Sequence, residues 1–223
     1  FTAHPVVKTH LLPGQLPLEL RDLPAVYLIR DGRDALVSLA HYRKDIVAPG
    51  TDFDHNLLEA TLAQGGSFFG GWSENVRQWS EKAAIIIRFE DLITDPIHEV
   101  EKLRAIINLP SPAFTKLPTF KSQRDGRSNY GASIRNNFSA ERAKKHFRSG
   151  KIGGWKIDVT PELLRVINSV HGPTLRKFEY ADEGLQNQDL KQQVFDHVGI
   201  IKFDPPENRE QVDLKVSADK III

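Results

Sequence analysis

The sequence predicts an α/β protein with three layers, in which a central parallel sheet lies between helices. Short apolar runs alternate along the chain with longer segments of helical periodicity, and such alternation is typical of strand–helix–strand units. The apolar runs at 25–29 (AVYLI) and 83–87 (AAIII) do not alternate with polar residues. They are therefore expected to be strands that are covered on both faces.

Two of the predicted strands end in charged residues. Residues 5–10 read PVVKTH, a short strand that is closed by the loop sequence LLPGQLP. The run at 25–29 leads into Arg30 and the turn sequence DGRD, after which helical spacing resumes with Asp31 or Asp34 as its N-cap. Because open α/β sheets bind ligands at the carboxyl ends of their strands, both ends are candidate binding positions.

Helices and one further strand follow along the chain. Residues 54–64 and 67–82 read as helices, and we interpret the aromatic stripe of the second as core. The run at 83–89 is the most apolar strand, and another helix begins after EDLITDP. Residues 119–154 are polar and lack periodicity, as expected of long loops at a functional face. Thr160 then caps a helix that runs to about residue 170.

The chain divides into two predicted parts. Residues 1–182 form the α/β domain, and residues 183–223 form a C-terminal extension. The extension contains a Gln- and Asn-rich linker followed by two strand-like segments, HVGIIKFDPP and QVDLKVSADKIII. These segments indicate either a small β-hairpin or the start of another region.

Composition excludes several classes of protein. Lys and Arg total 30 against 29 acidic residues, so we expect no broad nucleic-acid or membrane-binding surface. The sequence contains no run long enough to span a membrane and no signal-like segment, which indicates a soluble, cytoplasmic protein. The absence of cysteine excludes disulfides, thiolate catalysis and Cys-based zinc sites. Five histidines lack metal-ligand spacing and are expected to be structural or solvated: His41, His55, His98, His146 and His171.

Several segments together resemble the motifs of the PAPS-dependent sulfotransferases, which use 3′-phosphoadenosine 5′-phosphosulfate. KTH at 8–10 is similar to the family's strand end, and YLIRDGRDALVS at 27–38 to its 3′-phosphate-binding segment. FRSGKIGGWK at 147–156 resembles the family's FRKGxxGDWK loop. Weaker matches are RFEDL at 88–92 and LPTFKSQ at 117–123. All of these matches follow the family's order.

The resemblance implies a role for each matched residue. His10 is the expected catalytic base, and Lys8 is the expected contact to the transferring sulfuryl group. The expected nucleotide-binding residues are Arg30, Ser38, Phe89, Phe120, Arg148, Ser149 and Gly150. Of these, Phe89 replaces a usual tyrosine and Ser149 a usual lysine, and Gly154 in the same loop replaces a usual aspartate.

The chemistry of the residues agrees with these roles. A 3′-phosphate carries about two negative charges and requires fixed donors, which Arg30, Arg148 and the Ser38 hydroxyl supply. A planar guanidinium at the end of a rigid strand positions a phosphate better than a flexible loop does. His10, with an ordinary pKa of ~6.5, can accept a proton from an attacking hydroxyl near neutrality.

The expected function is transfer of a sulfuryl group from PAPS to a hydroxyl or amine acceptor, small or carrier-borne, with release of PAP and no metal. The family's 5′-phosphosulfate segment, PKSGTTW in typical form, is expected on a strand before Val6 and is absent from the sequence. We therefore expect this chain, which also lacks methionine, to belong to a longer protein. Two alternatives are a non-catalytic PAP-binding module of the same fold and, less well supported by FRSGKIGGWK, a P-loop kinase.

Overall fold

A computed structural model describes residues 6–64, 67–111, 119–125, 140–180 and 221–222. In chain order, its strands and helices are β1 (Val6–Val7), α1 (Leu18–Arg21), β2 (Val26–Ile29), α2 (Gly32–Tyr42), α3 (Phe53–Leu62), α4 (Trp72–Lys82), β3 (Ile85–Arg88), α5 (Phe89–Thr94), α6 (Pro96–Glu101), α7 (Phe120–Arg124), α8 (Ala140–His146), α9 (Trp155–Asp158), α10 (Pro161–Lys177) and β4 (Ile221–Ile222). Short 3₁₀ turns lie at Pro13–Gln15, Ser67–Gly70 and Lys102–Ala105, and a π-helical turn at Arg43–Val47.

The strands of the described residues pair in parallel. β2 pairs with β3 so that Ile29 lies opposite Arg88, and β1 pairs with β4. Parallel pairing brings the carboxyl ends of β2 and β3 to the same edge of the sheet. The residues that follow these ends, Arg30 and Phe89, are therefore neighbours.

Helices cover both faces of the β2–β3 pair. Successive side chains of a strand point to opposite faces, and on one face Val26 packs with Ile87 against α5 and the turn after α6. On the other face, Ile29 packs with Val76 of α4 and Leu175 of α10. This arrangement explains why neither strand alternates between apolar and polar residues, and it confirms the predicted α/β class.

A second core lies between α2, α3 and α10. Its centre is formed by Val37, Leu57 and Ile167, each at most 1% exposed, and Trp155 of α9 joins the same cluster. Full burial of such a side chain contributes about 1.5–3 kcal/mol. The packing fixes α2, and with it the helix N-terminus that follows Arg30.

The aromatic segment before α4 differs from the prediction of one continuous helix. Residues 67–82 are divided into a 3₁₀ turn and α4, because Phe68 and Phe69 adopt positive φ angles of 44° and 61°. These angles lie in the left-handed region, which interrupts a right-handed helix. The helix therefore begins only at Trp72, and the first two aromatic residues of the stripe lie before it.

The prediction of loops over residues 119–154 was wrong in part, since α7 and α8 lie there. Thr119 starts α7 by accepting a hydrogen bond from the Ser122 backbone N–H. A cap of this kind stabilises a short polar helix without an apolar stripe. The predicted cap of α10 is confirmed, because the Thr160 hydroxyl accepts from the backbone N–H of Leu163.

The structure describes the C-terminal extension only at β4. Residues 181–220, which contain the linker and the first strand-like segment, lie outside the described residues. β4 itself is parallel to β1. The domain boundary near residue 182 stays a prediction.

His171 of α10 is a buried histidine in the core. It is 2% exposed, its Nδ1 lies 2.7 Å from the Ser73 hydroxyl oxygen, and its ring meets Trp72 edge to face. Burial lowers the pKa of His171 to about 4, although the backbone of Thr61 opposes this change. The imidazole is therefore neutral at pH 7.

The low pKa of His171 makes stability depend on pH. Between the ordinary value of 6.5 and about 4, the unfolded chain binds a proton that the folded protein does not, so stability falls as the pH is lowered. We expect His171→Gln to remove a pH-dependent part on the order of 3 kcal/mol across this window. Urea unfolding at a series of pH values measures it.

His55→Gln is the matched control, because the His55 side chain is 61% exposed. This variant should keep the slope of the parent. Equal slopes for the parent and His171→Gln between pH 6.5 and 4 would contradict the prediction.

Candidate active site

A cavity of about 780 Å³ opens where β1 and β2 end. Its walls come from the residues after β1, from β2, from α2 and α4, and from the segment after α8. Residues from distant parts of the sequence therefore face one space. Among the residues predicted from the sequence, those that line it are Lys8, His10, Arg30, Ser38 and Arg148.

The Arg30 guanidinium is held from several sides. Its Nη2 donates to the carbonyl of Lys151 at 3.0 Å and lies 3.7 Å from the Asp34 carboxylate. The guanidinium also lies over the Phe89 ring, 4.4 Å from its centroid. Its buried Nε has no hydrogen-bond partner among the described residues. Because buried donors are nearly always paired, this nitrogen is available to a ligand that accepts hydrogen bonds.

Asp31, and not Asp34, caps α2. The Asp31 carboxylate accepts from the backbone N–H of Arg33 at 2.9 Å and from the side chain of the same residue. Asp34 instead accepts from the backbone N–H groups of Gly153, at 2.8 Å, and Trp155, at 2.9 Å. These bonds attach the FRSGKIGGWK segment to the helix of the RDGRD motif.

Gly150 of the FRSGKIGGWK segment permits a close contact with α7. Its φ of +60° lies in the left-handed region, and a Cβ at this position would approach the Phe120 ring to 2.6 Å. The Phe120 ring is 40% exposed and meets Phe147 edge to face. Gly150 and Phe120 therefore lie together, next to the cavity but outside its lining.

Arg148 takes part in an ion pair at the cavity. Its Nη2 lies 3.0 Å from Oδ2 of Asp158, and the same oxygen lies 3.3 Å from Nε2 of His41. Burial and, to a lesser degree, Arg148 lower the pKa of His41, whereas Asp158 opposes this change. His41 and His146 were expected to be structural or solvated, but both line the cavity.

The other predicted nucleotide-binding residues surround this group. Ser38 is exposed on α2 and lines the cavity. Phe89 lies against Arg30, and Ser149 is half-buried in the segment after Arg148; neither lines the cavity. The structure thus brings Arg30, Ser38 and Arg148 together and leaves the predicted aromatic residues at the margin.

His10 follows β1 and lines the same cavity as Arg30 and Arg148. Its ring centroid is 4.7 Å from that of Phe69. Partial burial and, secondly, the positive charge of Lys8 lower the pKa of His10. Both effects disfavour the imidazolium, so they favour the neutral form that can accept a proton.

An aromatic wall lies beside His10. The stripe that we interpreted as core is divided: Val76 lies under β2, whereas other members also face the cavity, namely Phe68, Phe69, Trp72 and Trp79. Asn75 holds this wall, since its Nδ2 donates to the Phe69 carbonyl at 3.0 Å and its Oδ1 accepts from the Tyr27 hydroxyl at 2.9 Å. Sequence reasoning missed Asn75, because its partners lie on two other elements, the 3₁₀ turn at Ser67–Gly70 and β2.

The described residues contain neither a cluster of metal-ligating side chains nor a helix that could span a membrane. No His, Asp and Glu side chains come together there in groups of three or more that could hold a metal ion. In the same part of the chain, none of the helices is both long enough and apolar enough to cross a bilayer.

Parallel strands, helices on both faces and a cavity at the strand ends define an α/β protein with a candidate ligand site at the carboxyl edge of the sheet. The model of a known family, described as sulfotransferase domain, matches residues 2–179. The chain therefore belongs to the sulfotransferase family, as its motifs indicated.

Curated relatives agree with this family. The chain is 28% identical over 169 residues to cytosolic sulfotransferase 1 of Danio rerio, covering 70% of this chain and 55% of the relative. It is 25% identical over 171 residues to sulfotransferase 1E1 of Mus musculus, covering 72% of this chain and 58% of the relative. The chain thus spans little more than half the length of these relatives.

A solved structure shows the same fold. The mouse sulfotransferase SULT7A1, crystallised in complex with PAP, superimposes with a TM-score of 0.56 at 20% sequence identity. The match covers 82% of this chain and 66% of the mouse chain. The predicted fold class is confirmed by this likeness.

The effect of Lys8 on His10 can be measured directly. Because the positive charge of Lys8 lowers the pKa of His10, we expect Lys8→Gln to raise that pKa. Titration of the histidine ring signals by NMR gives both values. Lys121→Gln, which removes an exposed lysine of α7, should leave the His10 titration unchanged; a fall in the pKa of His10 in Lys8→Gln would contradict the assigned cause.

Proposed function

We propose that this chain carries nucleotide-binding and catalytic side chains of a sulfotransferase, which moves a sulfuryl group from PAPS to a hydroxyl or amine acceptor and releases PAP. The observation that carries the proposal is the convergence of Arg30, Ser38 and Arg148 on the cavity that also contains Lys8 and His10. Membership of the sulfotransferase family supports sulfuryl transfer as the reaction class.

Arg30 and Arg148 are the proposed charged ligands of the 3′-phosphate. A phosphate dianion is recognised by charge-assisted hydrogen bonds from fixed donors. Within the described part of the chain, the Nε of Arg30 lacks a partner, and contacts to Phe89 and Lys151 already fix the orientation of the guanidinium. The Ser38 hydroxyl offers a neutral donor in the same space. These features fit a phosphate better than a neutral ligand.

The nucleotide's remaining contacts are proposed for the margin of the cavity. Ser149 and Gly150 are proposed to contribute polar groups of the FRSGKIGGWK segment to the 3′-phosphate. The half-exposed Phe120 ring offers a face for stacking on adenine, and Phe89 is the proposed second aromatic contact. The solved mouse relative was crystallised with PAP, which supports a nucleotide of this kind.

His10 is the proposed general base. As the acceptor oxygen forms its bond to sulfur, the bond between sulfur and the 5′-phosphate oxygen breaks, and the acceptor's proton passes to a ring nitrogen of His10. A loose in-line transfer of this type depends mainly on positioning and on charge stabilisation. The lowered pKa of His10 supports this role, because the ring must be neutral before the proton arrives.

Lys8 is the proposed electrostatic partner of the reaction. Its ammonium can offset negative charge on the sulfuryl group or on the departing phosphate oxygen. This proposal requires no metal. We further propose an acceptor that is small or carrier-borne, and a cytoplasmic setting, which the names of the cytosolic relatives support.

Removal of the Arg30 side chain should weaken PAP binding by about ten- to a hundredfold, or about 1.5–3 kcal/mol, the scale of a hydrogen bond to a charged group. Adenosine 5′-phosphate, which lacks the 3′-phosphate, should lose much less. Calorimetry with both nucleotides on the parent and Arg30→Ala measures the difference. Arg165→Ala removes an exposed guanidinium that pairs with Glu162 and serves as the control; equal losses for both nucleotides in Arg30→Ala would defeat the assignment.

Removal of the proposed base should affect turnover and not nucleotide binding. For His10→Ala in the longer protein to which this chain is expected to belong, we expect kcat to fall by roughly 10²–10⁴, the range for loss of a general base, with PAP affinity little changed. Transfer from labelled PAPS to a panel of hydroxyl and amine acceptors measures turnover, and His98→Ala, an exposed histidine of α6, is the control. Turnover by His10→Ala within a few-fold of the longer parent protein would exclude His10 as the base, and PAP binding with no turnover by that parent would favour a non-catalytic module.

A further inference from the structure

Asp34 is a buried carboxylate that has no role in the chemistry proposed above. It is 3% exposed, and each of its oxygens accepts a backbone N–H from a distant segment, Gly153 at 2.8 Å and Trp155 at 2.9 Å. Asp31 already caps the helix, so Asp34 is not required for capping. Its function in the fold is to join the segment 148–155 to α2.

The same segment is joined to β2 through Arg30. The Nη2 of Arg30 donates to the Lys151 carbonyl at 3.0 Å and lies 3.7 Å from Oδ2 of Asp34. Asp34, Arg30 and the backbone of residues 151–155 therefore form a closed set of contacts. Arg148 lies at the amino-terminal end of the segment that these contacts hold.

The charge of Asp34 and its hydrogen bonds have opposite consequences for an anionic ligand. A carboxylate next to Arg30 reduces the positive potential of the site, so loss of its charge alone would strengthen phosphate binding. Loss of its hydrogen bonds would leave the buried N–H of Trp155 and the partly buried N–H of Gly153 without their acceptors and would release the segment that carries Arg148. The sign of the change in phosphate affinity therefore distinguishes the two effects.

We propose that Asp34 is a positioning residue for the 3′-phosphate. It holds the segment 148–155 against α2 so that Arg148 and Gly150 face the same phosphate as Arg30. Donors that belong to two distant segments bind one anion well only if their separation is fixed to a fraction of an ångström. This inference rests on the proposed PAP site.

Asp34→Asn tests the inference, because it keeps the side-chain size but turns an amide NH₂ towards one of the two backbone donors. We expect PAP to bind about tenfold more weakly and adenosine 5′-phosphate to change by less than twofold. Calorimetry on the full chain gives both affinities. Hydrogen exchange at the amides of Gly153 and Trp155 should become faster in the variant.

The matched control is Glu99→Gln. Glu99 is also a carboxylate with 3% exposure, but it pairs with Lys102 of the adjoining turn and does not line the cavity. This variant should bind both nucleotides as the parent does. PAP binding by Asp34→Asn that is unchanged or stronger would overturn the inference, and so would equal losses for the two nucleotides.

A second variant changes the other end of the same link. Gly153 has a φ of +70°, so Gly153→Ala strains the segment where it meets Asp34 and leaves all charges in place. We expect the same selective loss of PAP affinity, severalfold in size. If Asp34→Asn does not fold, Gly153→Ala alone tests the inference. Unchanged PAP binding by folded Gly153→Ala would then overturn it.

Failure of the proposed function gives a different result. A parent chain that binds PAP no better than adenosine 5′-phosphate would overturn the proposed 3′-phosphate site and this inference with it. A parent that discriminates between the nucleotides, together with variants that discriminate equally well, would overturn only the role of Asp34.

Discussion

The parallel pairing of β2 with β3 is the constraint on which the candidate site depends. It sets Ile29 opposite Arg88, so that the next residues, Arg30 and Phe89, meet with the guanidinium 4.4 Å above the ring centroid. A stacked arginine is attracted to the ring by about 0.5–2 kcal/mol and keeps its planar donor fork in one orientation. Helices cover both faces of this strand pair. The packing of the core therefore fixes the position of the Arg30 guanidinium.

The second half of the site reaches this edge through long-range hydrogen bonds. Asp34 binds backbone donors 119 and 121 residues further along the chain, and hydrogen bonds to a charged group contribute about 1.5–3 kcal/mol each. Fixing one residue costs about 1–2 kcal/mol of backbone entropy, so two such bonds offset the ordering of only a few residues. Burial of Trp155, which also lies against the Arg33 guanidinium at 4.4 Å, adds the stabilisation that the remaining residues require.

The sequence predicted the parts of the fold and site that depend on local patterns. The unalternating strands, the cap at Thr160 and the charged residue after β2 follow from periodicity and short motifs, and the structure agrees with each. The partners of Asp34 are far away in sequence, so local pattern left it as a possible cap. The aromatic stripe was assigned wholly to the core because its spacing assumed a helix through Phe68 and Phe69, where the backbone is left-handed. The roles of the predicted site residues stay predictions.

The arginines and the lysine that line the cavity differ in their ion-pair partners. Each arginine lies beside an aspartate: Arg30 is 3.7 Å from Asp34, and Arg148 is 3.0 Å from Asp158. The carboxylates reduce the net positive charge but orient the guanidinium groups, and a group with five donors keeps several of them for a ligand. Lys8, in the same lining, lowers the pKa of His10, and among the described residues it has no ion pair with a carboxylate. In the proposed reaction, a positive charge that no carboxylate offsets disfavours the imidazolium before proton transfer and stabilises the negative charge on the departing oxygen. The proposed phosphate ligands are thus oriented by neighbouring carboxylates, whereas the proposed partner of the reaction is not.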